Sequence, residues 1–191
     1  MHSILESYTQ FPRDLIPKSG RIDLLLFLLD LKPVFRTNII DASRHAEIES
    51  WGTNNRSFYY FSDRMYIGKS HEIVVKTYHS DMEELPHEYE LGMLFGYPKC
   101  CCRFIESVGE KKIDAMDEDV KTWAFSGTFK AIDPTGYFDG LSLVSHIPCS
   151  QSCDASLKIA NQVKNFVLNQ SSSTPDLIQL KGWINTWNHV Q

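Results

Sequence analysis

The sequence predicts an α+β fold: helices packed around a small antiparallel sheet, with a metal or cluster site between two helix N-termini. Three observations lead there. Apolar residues recur at helical spacing through most of the chain, and residues 57–80 are instead rich in aromatic and β-branched residues. All five cysteines fall at 100, 101, 102, 149 and 153, leaving the first 99 residues without any. Core cysteines do not cluster in this way. With 191 residues, 42% of them hydrophobic, the chain can bury a core without help from metals or disulfides.

A single domain over residues 1–191 is expected, because neither a repeat nor a long linker divides it. Residues 1–56 form a mainly helical segment, broken at Pro12, Pro17 and Ser19-Gly20, with a buried helix over Arg21–Leu31 that stops before Pro33. Residues 57–80 predict a small sheet of two or three strands from SFYYFSDRMYIG and HEIVVKTYH, with breaks at Ser62-Asp63 and Gly68-Lys69. Residues 86–170 form the cysteine-bearing helical core. A helix from Pro86 ends at Gly96, a second starts at Pro98, and Asp133-Pro134-Thr135-Gly136 spells a type I turn. A third helix is expected to open at Pro148 and run to about Leu168, with a seam through Cys149, Cys153, Leu157, Ala160 and the stem of Lys164. Thr174-Pro175-Asp176 opens a C-terminal helix over 174–188, which packs through Leu177, Leu180, Trp183, Ile184 and Trp187.

Composition narrows the function. Nineteen Lys and Arg against 24 Asp and Glu give a formal charge of −5, which argues against broad nucleic-acid binding through phosphates. The longest strictly apolar run, Leu24–Leu29, is far too short to span a membrane. MHSILESYTQF lacks the basic and apolar regions of a signal peptide, so a reducing cytoplasm is the expected location. Phosphate-binding loops, dinucleotide fingerprints and the G-x-S-x-G elbow have no counterpart.

The cysteines carry the chemistry. An odd number in a cytoplasmic-looking chain points away from a disulfide framework and toward a metal, cluster or reactive-thiol site. Each group follows a proline at an expected helix start, where unpaired N–H groups and the helix dipole favour thiolates. Cys100, Cys101, Cys149 and Cys153 therefore form the expected ligand set, with Cys102 beside it. Four soft thiolates suit an iron–sulfur cluster, most simply 4Fe-4S, or zinc. The iron–sulfur reading is preferred, because structural zinc generally uses paired C-x₂₋₄-C knuckles and the first pair here is vicinal. A metal-free redox thiol is a further alternative.

Two blocks also carry a resemblance. Leu91-Gly92-Met93-Leu94-Phe95-Gly96-Tyr97-Pro98-Lys99-Cys100-Cys101, followed by His146-Ile147-Pro148-Cys149-Ser150 and Cys153, resembles the prokaryotic family known as domain of unknown function 483. The paired cysteines of that pattern correspond to Cys100 and Cys101, and Cys102 stands where an apolar residue is expected. The resemblance implies no particular reaction, but it supports Cys100, Cys101, Cys149 and Cys153 as a unit.

His146, three residues before Cys149, is a candidate catalytic proton donor, a ligand or a partner of the site; the plain alternative is a loop histidine bonded to backbone. Arg103, one turn from the cysteines, is a candidate for pairing an anionic substrate, against the plain reading of a solvated helix face. Tyr97 reads as packing between helices. The functional expectation is an iron–sulfur enzyme that uses an open iron for sulfur transfer, desulfuration or elimination on a small molecule, peptide or modified nucleotide. The alternatives are an iron–sulfur electron carrier or sensor with a protein partner, or a zinc–thiolate structural or interaction domain.

Overall fold

The computed structural model describes residues 3–55, 57–62, 64–83, 87–109, 112, 129–171 and 174–188. Among them are eight α-helices: α1 (Ile4–Gln10), α2 (Lys18–Leu28), α3 (His45–Asn54), α4 (His71–Asp81), α5 (Glu88–Leu94), α6 (Lys99–Val108), α7 (Asp154–Asn169) and α8 (Pro175–Asn188). Three strands, β1 (Val34–Thr37), β2 (Phe58–Phe61) and β3 (Met65–Gly68), form one antiparallel sheet in the order β1-β3-β2. The fold is α+β. No helix among the described residues is long and apolar enough to cross a membrane.

α2 is the hub. It buries Ile22 and the unbroken run Asp23 to Phe27, so it is wrapped on nearly every side. Gly20 lets it sit against β1, because a Cβ there would stand 2.4 Å from Thr37 Oγ1. The single buried carboxylate of the run, Asp23, is answered by Lys32 Nζ and the Tyr137 hydroxyl, as a buried charge must be.

The sheet separates two layers. Phe35, Met65 and Ile67 face the large core around α2, while Val34 and Tyr66 face Val74 of α4 on the other side. Register Val34↔Gly68 and Phe35↔Ile67 accounts for this, since alternate residues point to opposite faces.

Two sequence expectations for the sheet need correction. HEIVVKTYH is not a strand; it is α4, capped by Ser70, whose hydroxyl accepts from the Ile73 N–H. Ile73, Val74, Thr77 and Tyr78 lie on one helical face, a period that outweighs the β propensity of the individual residues. The third strand comes instead from Val34–Thr37, inside the segment expected to be helical, where Pro33 ends the preceding helix region and starts extended chain. Asp81 at the end of α4 then binds Arg36, Arg64 and the Tyr66 hydroxyl, tying the helix to the sheet.

Past α5 the chain turns at Gly96, whose φ of +76° is the left-handed stop expected there. A Cβ at Gly96 would also stand 2.7 Å from Pro33 Cδ, so the turn is pressed against the start of β1. The expected turn at 133–136 sits one residue later: the Tyr137 N–H bonds Pro134 O at 2.9 Å, and the Asp133 carboxylate caps the Thr135 N–H at 2.8 Å. The C-terminal helix buries Leu177, Leu180 and Ile184, with Trp183 and Trp187 packed against the same core.

A four-cysteine candidate metal centre

α6 begins immediately after Pro98. The Cys101 and Cys102 N–H groups both bond Pro98 O, at 2.8 and 3.0 Å, so the first turn is regular. Cys100 at its rim is exposed, while Cys101 points into the core with no measurable exposure.

The second group is built differently from expectation. The third helix does not open at Pro148: α7 starts at Asp154, Cys153 is its N-cap residue in extended conformation, and Cys149 lies in the turn before it. Ser150 and Ser152 favour a turn over a helix, since short polar side chains compete for the backbone. The buried seam of α7 shifts accordingly to Ser156, Ala160, Val163 and Val167. The loop carrying Cys149 is held from below by buried Leu143, Val144 and Pro148 and by Lys32, which donates to Ser145 Oγ at 3.1 Å.

These two paths bring four sulfurs together. The Sγ atoms of Cys100, Cys101, Cys149 and Cys153 all lie within 4.8 Å of one another, a group that can hold a metal ion. Cys100 and Cys101 stand 3.9 Å apart, and each is 3.7 Å from Cys153. Cys102 points away: its Sγ lies 3.5 Å from Tyr97 O and against Gly92 of α5, where a Cβ would stand 2.9 Å from it.

The electrostatics are uneven. Burial raises Cys101 well above the ordinary thiol range, opposed by the Ser156 hydroxyl and the Cys149 N–H. Burial likewise pushes Cys149 up to about 11. For Cys153 burial also acts upward, but hydrogen bonds from the Ser156 side chain and backbone and from the neighbouring thiols outweigh it and bring the group down to about 7. One thiolate is thus favoured near neutrality, at the N-terminus of α7, where the helix dipole adds to the preference.

His146 is buried, with its Nε2 2.8 Å from Ser156 Oγ, and its ring leans on Tyr97 at 5.2 Å between centroids. Ser156 in turn lies 3.3 Å from Cys153 Sγ and 3.5 Å from Cys101 Sγ. His146 therefore reaches the sulfurs through Ser156. Burial, with the nearby Lys32 charge, lowers its pKa to about 3, so the ring is neutral at physiological pH. Arg103 lies on the exposed side of α6. Ser156 escaped the sequence reading; its one signal is its place one turn beyond Cys153, which is visible only once the helix start is known. No protein-family model matches the chain, and no curated protein or solved structure matches it either.

Proposed function

We propose that this chain is a zinc–thiolate protein in which Cys100, Cys101, Cys149 and Cys153 hold one tetrahedral ion that fastens the start of α6 to the 145–153 loop and α7. The sulfur spacing carries the reading. Four thiolates at a zinc–sulfur distance of about 2.3 Å form a tetrahedron with an edge of about 3.8 Å. The separations among Cys100, Cys101 and Cys153, at 3.7, 3.7 and 3.9 Å, match that edge, and the Cys149 sulfur lies within 4.8 Å of each of them. In a 4Fe-4S cluster each thiolate takes a different iron, and the sulfurs stand well beyond one such edge. Four ligands on one ion leave no open position, which is the mark of a structural rather than a catalytic zinc. Membership of the domain of unknown function 483, which the same four cysteines resemble, is part of this proposal.

A second reading, the iron–sulfur enzyme, is favoured by one observation: Cys100 is exposed and Cys149 only half-buried, so one edge of the site is open to a substrate or a larger cofactor. Metal and sulfide analysis of anaerobically purified full-length chain separates the two. One zinc per chain, no acid-labile sulfide and a colourless protein are expected. A brown protein with stoichiometric iron and sulfide would overturn the zinc reading in favour of the cluster.

A further inference from the structure

The four sulfurs are not equivalent. Cys101 and Cys153 form an inner pair, both buried, and Ser156 stands against both; Cys100 and Cys149 form the outer edge. Resting on the zinc–thiolate reading, we infer that His146 and Ser156 are positioning residues for this inner pair: His146 Nε2–H donates to Ser156 Oγ, and Ser156 directs its single hydroxyl hydrogen to the thiolate of Cys153.

Hydrogen counting supports this arrangement. A serine hydroxyl has one hydrogen to give, and three atoms surround it here that could take it: His146 Nε2 at 2.8 Å, Cys153 Sγ at 3.3 Å and Cys101 Sγ at 3.5 Å. A metal-bound thiolate has no hydrogen of its own, so it can only accept. If the imidazole accepted instead, Cys153 would lose its side-chain donor and keep only backbone and thiol partners, and Ser156, with no exposure to water, would have no other way to satisfy that sulfur. The charged acceptor takes the stronger bond, so the hydroxyl hydrogen belongs to sulfur and the imidazole must donate. A neutral histidine carries one N–H, and that N–H is thereby fixed at Nε2.

The surroundings hold both members in place. Ser156 is in the first turn of α7, one turn beyond Cys153, so the helix itself sets its distance. His146 rests on Tyr97, whose backbone enters the Pro98 turn that starts α6, and Lys32 Nζ sits over the same Tyr97 ring at 5.2 Å. The cation beside it disfavours a second charge on the imidazole. Donors of this kind orient a ligand and withdraw electron density from it, and their removal typically weakens metal binding by about 10–100-fold.

The experiment uses the full chain with zinc(II) and, as a spectroscopic probe, cobalt(II). Ser156→Ala should weaken zinc binding by about 10–100-fold and move the cobalt–thiolate charge-transfer band to lower energy, because the sulfur loses its donor. Ser156→Thr, which keeps the hydroxyl, should restore both. In the unaltered zinc-loaded chain, ¹⁵N NMR of His146 should show the Nε2–H tautomer, a readout that needs no variant to fold. An unchanged cobalt spectrum in Ser156→Ala, or the Nδ1–H tautomer, overturns the relay while leaving the zinc site standing. Failure of the unaltered chain to take up one cobalt overturns the zinc–thiolate reading, and the relay falls with it.

Discussion

Pro98 and Pro148 each stand just before a cysteine, yet the chain beyond them takes different paths. After Pro98 the helix starts at once, and Cys100 and Cys101 are neighbours on its first turn. After Pro148 the chain makes a turn, with the Cys153 N–H 3.3 Å from Ser150 O, and only then enters α7. The first block offers its sulfurs from a rigid helix; the second curls a loop so that two residues four apart in sequence converge on them. A spacing of four residues is thus no proof of a helical face. Both paths end at a helix N-terminus, yet the thiolate is favoured only at Cys153, the cap of α7, while burial raises Cys101 and Cys149.

The largest effect tests whether the two blocks are equal partners. If each supplies two of four ligands, Cys101→Ala and Cys153→Ala should both abolish stoichiometric zinc, measured by metal analysis after gel filtration. A chain that kept a full equivalent after Cys153→Ala but lost it after Cys101→Ala would break the symmetry and make the second block a cover over a site built by the first.

The same contrast explains how much could be read in advance. The first block was legible because each residue there obeys a local rule: Gly96 permits a positive φ, Pro98 needs no N–H partner, and Cys101 falls on the buried face. The second block is not legible in the same way, because a proline in a helix-like frame has the same local signature whether the helix follows at once or five residues later. What decides is tertiary: Leu143, Val144 and Pro148 bury the loop and Lys32 pins Ser145, none of which the local pattern records. α4 teaches the complementary lesson. Its β-branched residues suggested a strand, while the Ser70 cap and the spacing of Ile73, Val74, Thr77 and Tyr78 already spelled a helix. The α+β class is insensitive to both differences, because residues 71–79 are helix where a strand is expected and residues 34–37 supply a strand where helix is expected.

The loop of the second block also carries the buried histidine, and this gives it a response to acid, whereas the buried thiols of the first block are shifted upward, toward alkaline pH. His146 titrates near 6.5 when unfolded but is held down to about 3 when folded, first by burial and then by Lys32. A depressed folded pKa means that the stabilisation is complete above the unfolded value and is lost as pH falls, because the unfolded chain takes up the proton first. Urea unfolding of chelator-treated protein should therefore show stability dropping between pH 6.5 and 5, by at most about 1.4 kcal/mol per pH unit for one proton. His146→Gln should flatten that part of the curve. A slope that persists unchanged in the variant would assign the response to other groups and dissolve this difference between the blocks.

The smallest effects are expected at the two remaining residues of the first block, and they follow from which way α6 turns. Cys102 is fully buried, but its sulfur faces Gly92 and Tyr97 O rather than the other thiols, and burial pushes it up to about 11. Cys102→Ala should leave zinc stoichiometry at one and cost roughly 1 kcal/mol in unfolding free energy, the price of a small cavity between α5 and α6. Arg103, one residue further round the helix, is exposed, and Arg103→Ala should change neither zinc affinity nor stability by more than about 0.5 kcal/mol. Isothermal titration with zinc reads the binding of the two variants, and urea unfolding reads their stability. A Cys102→Ala chain that lost its metal would mean that α6 presents a different pair of its three thiols to the site, since residues 100 and 102 diverge by about 200° on a regular helix and cannot exchange places without re-winding its first turn.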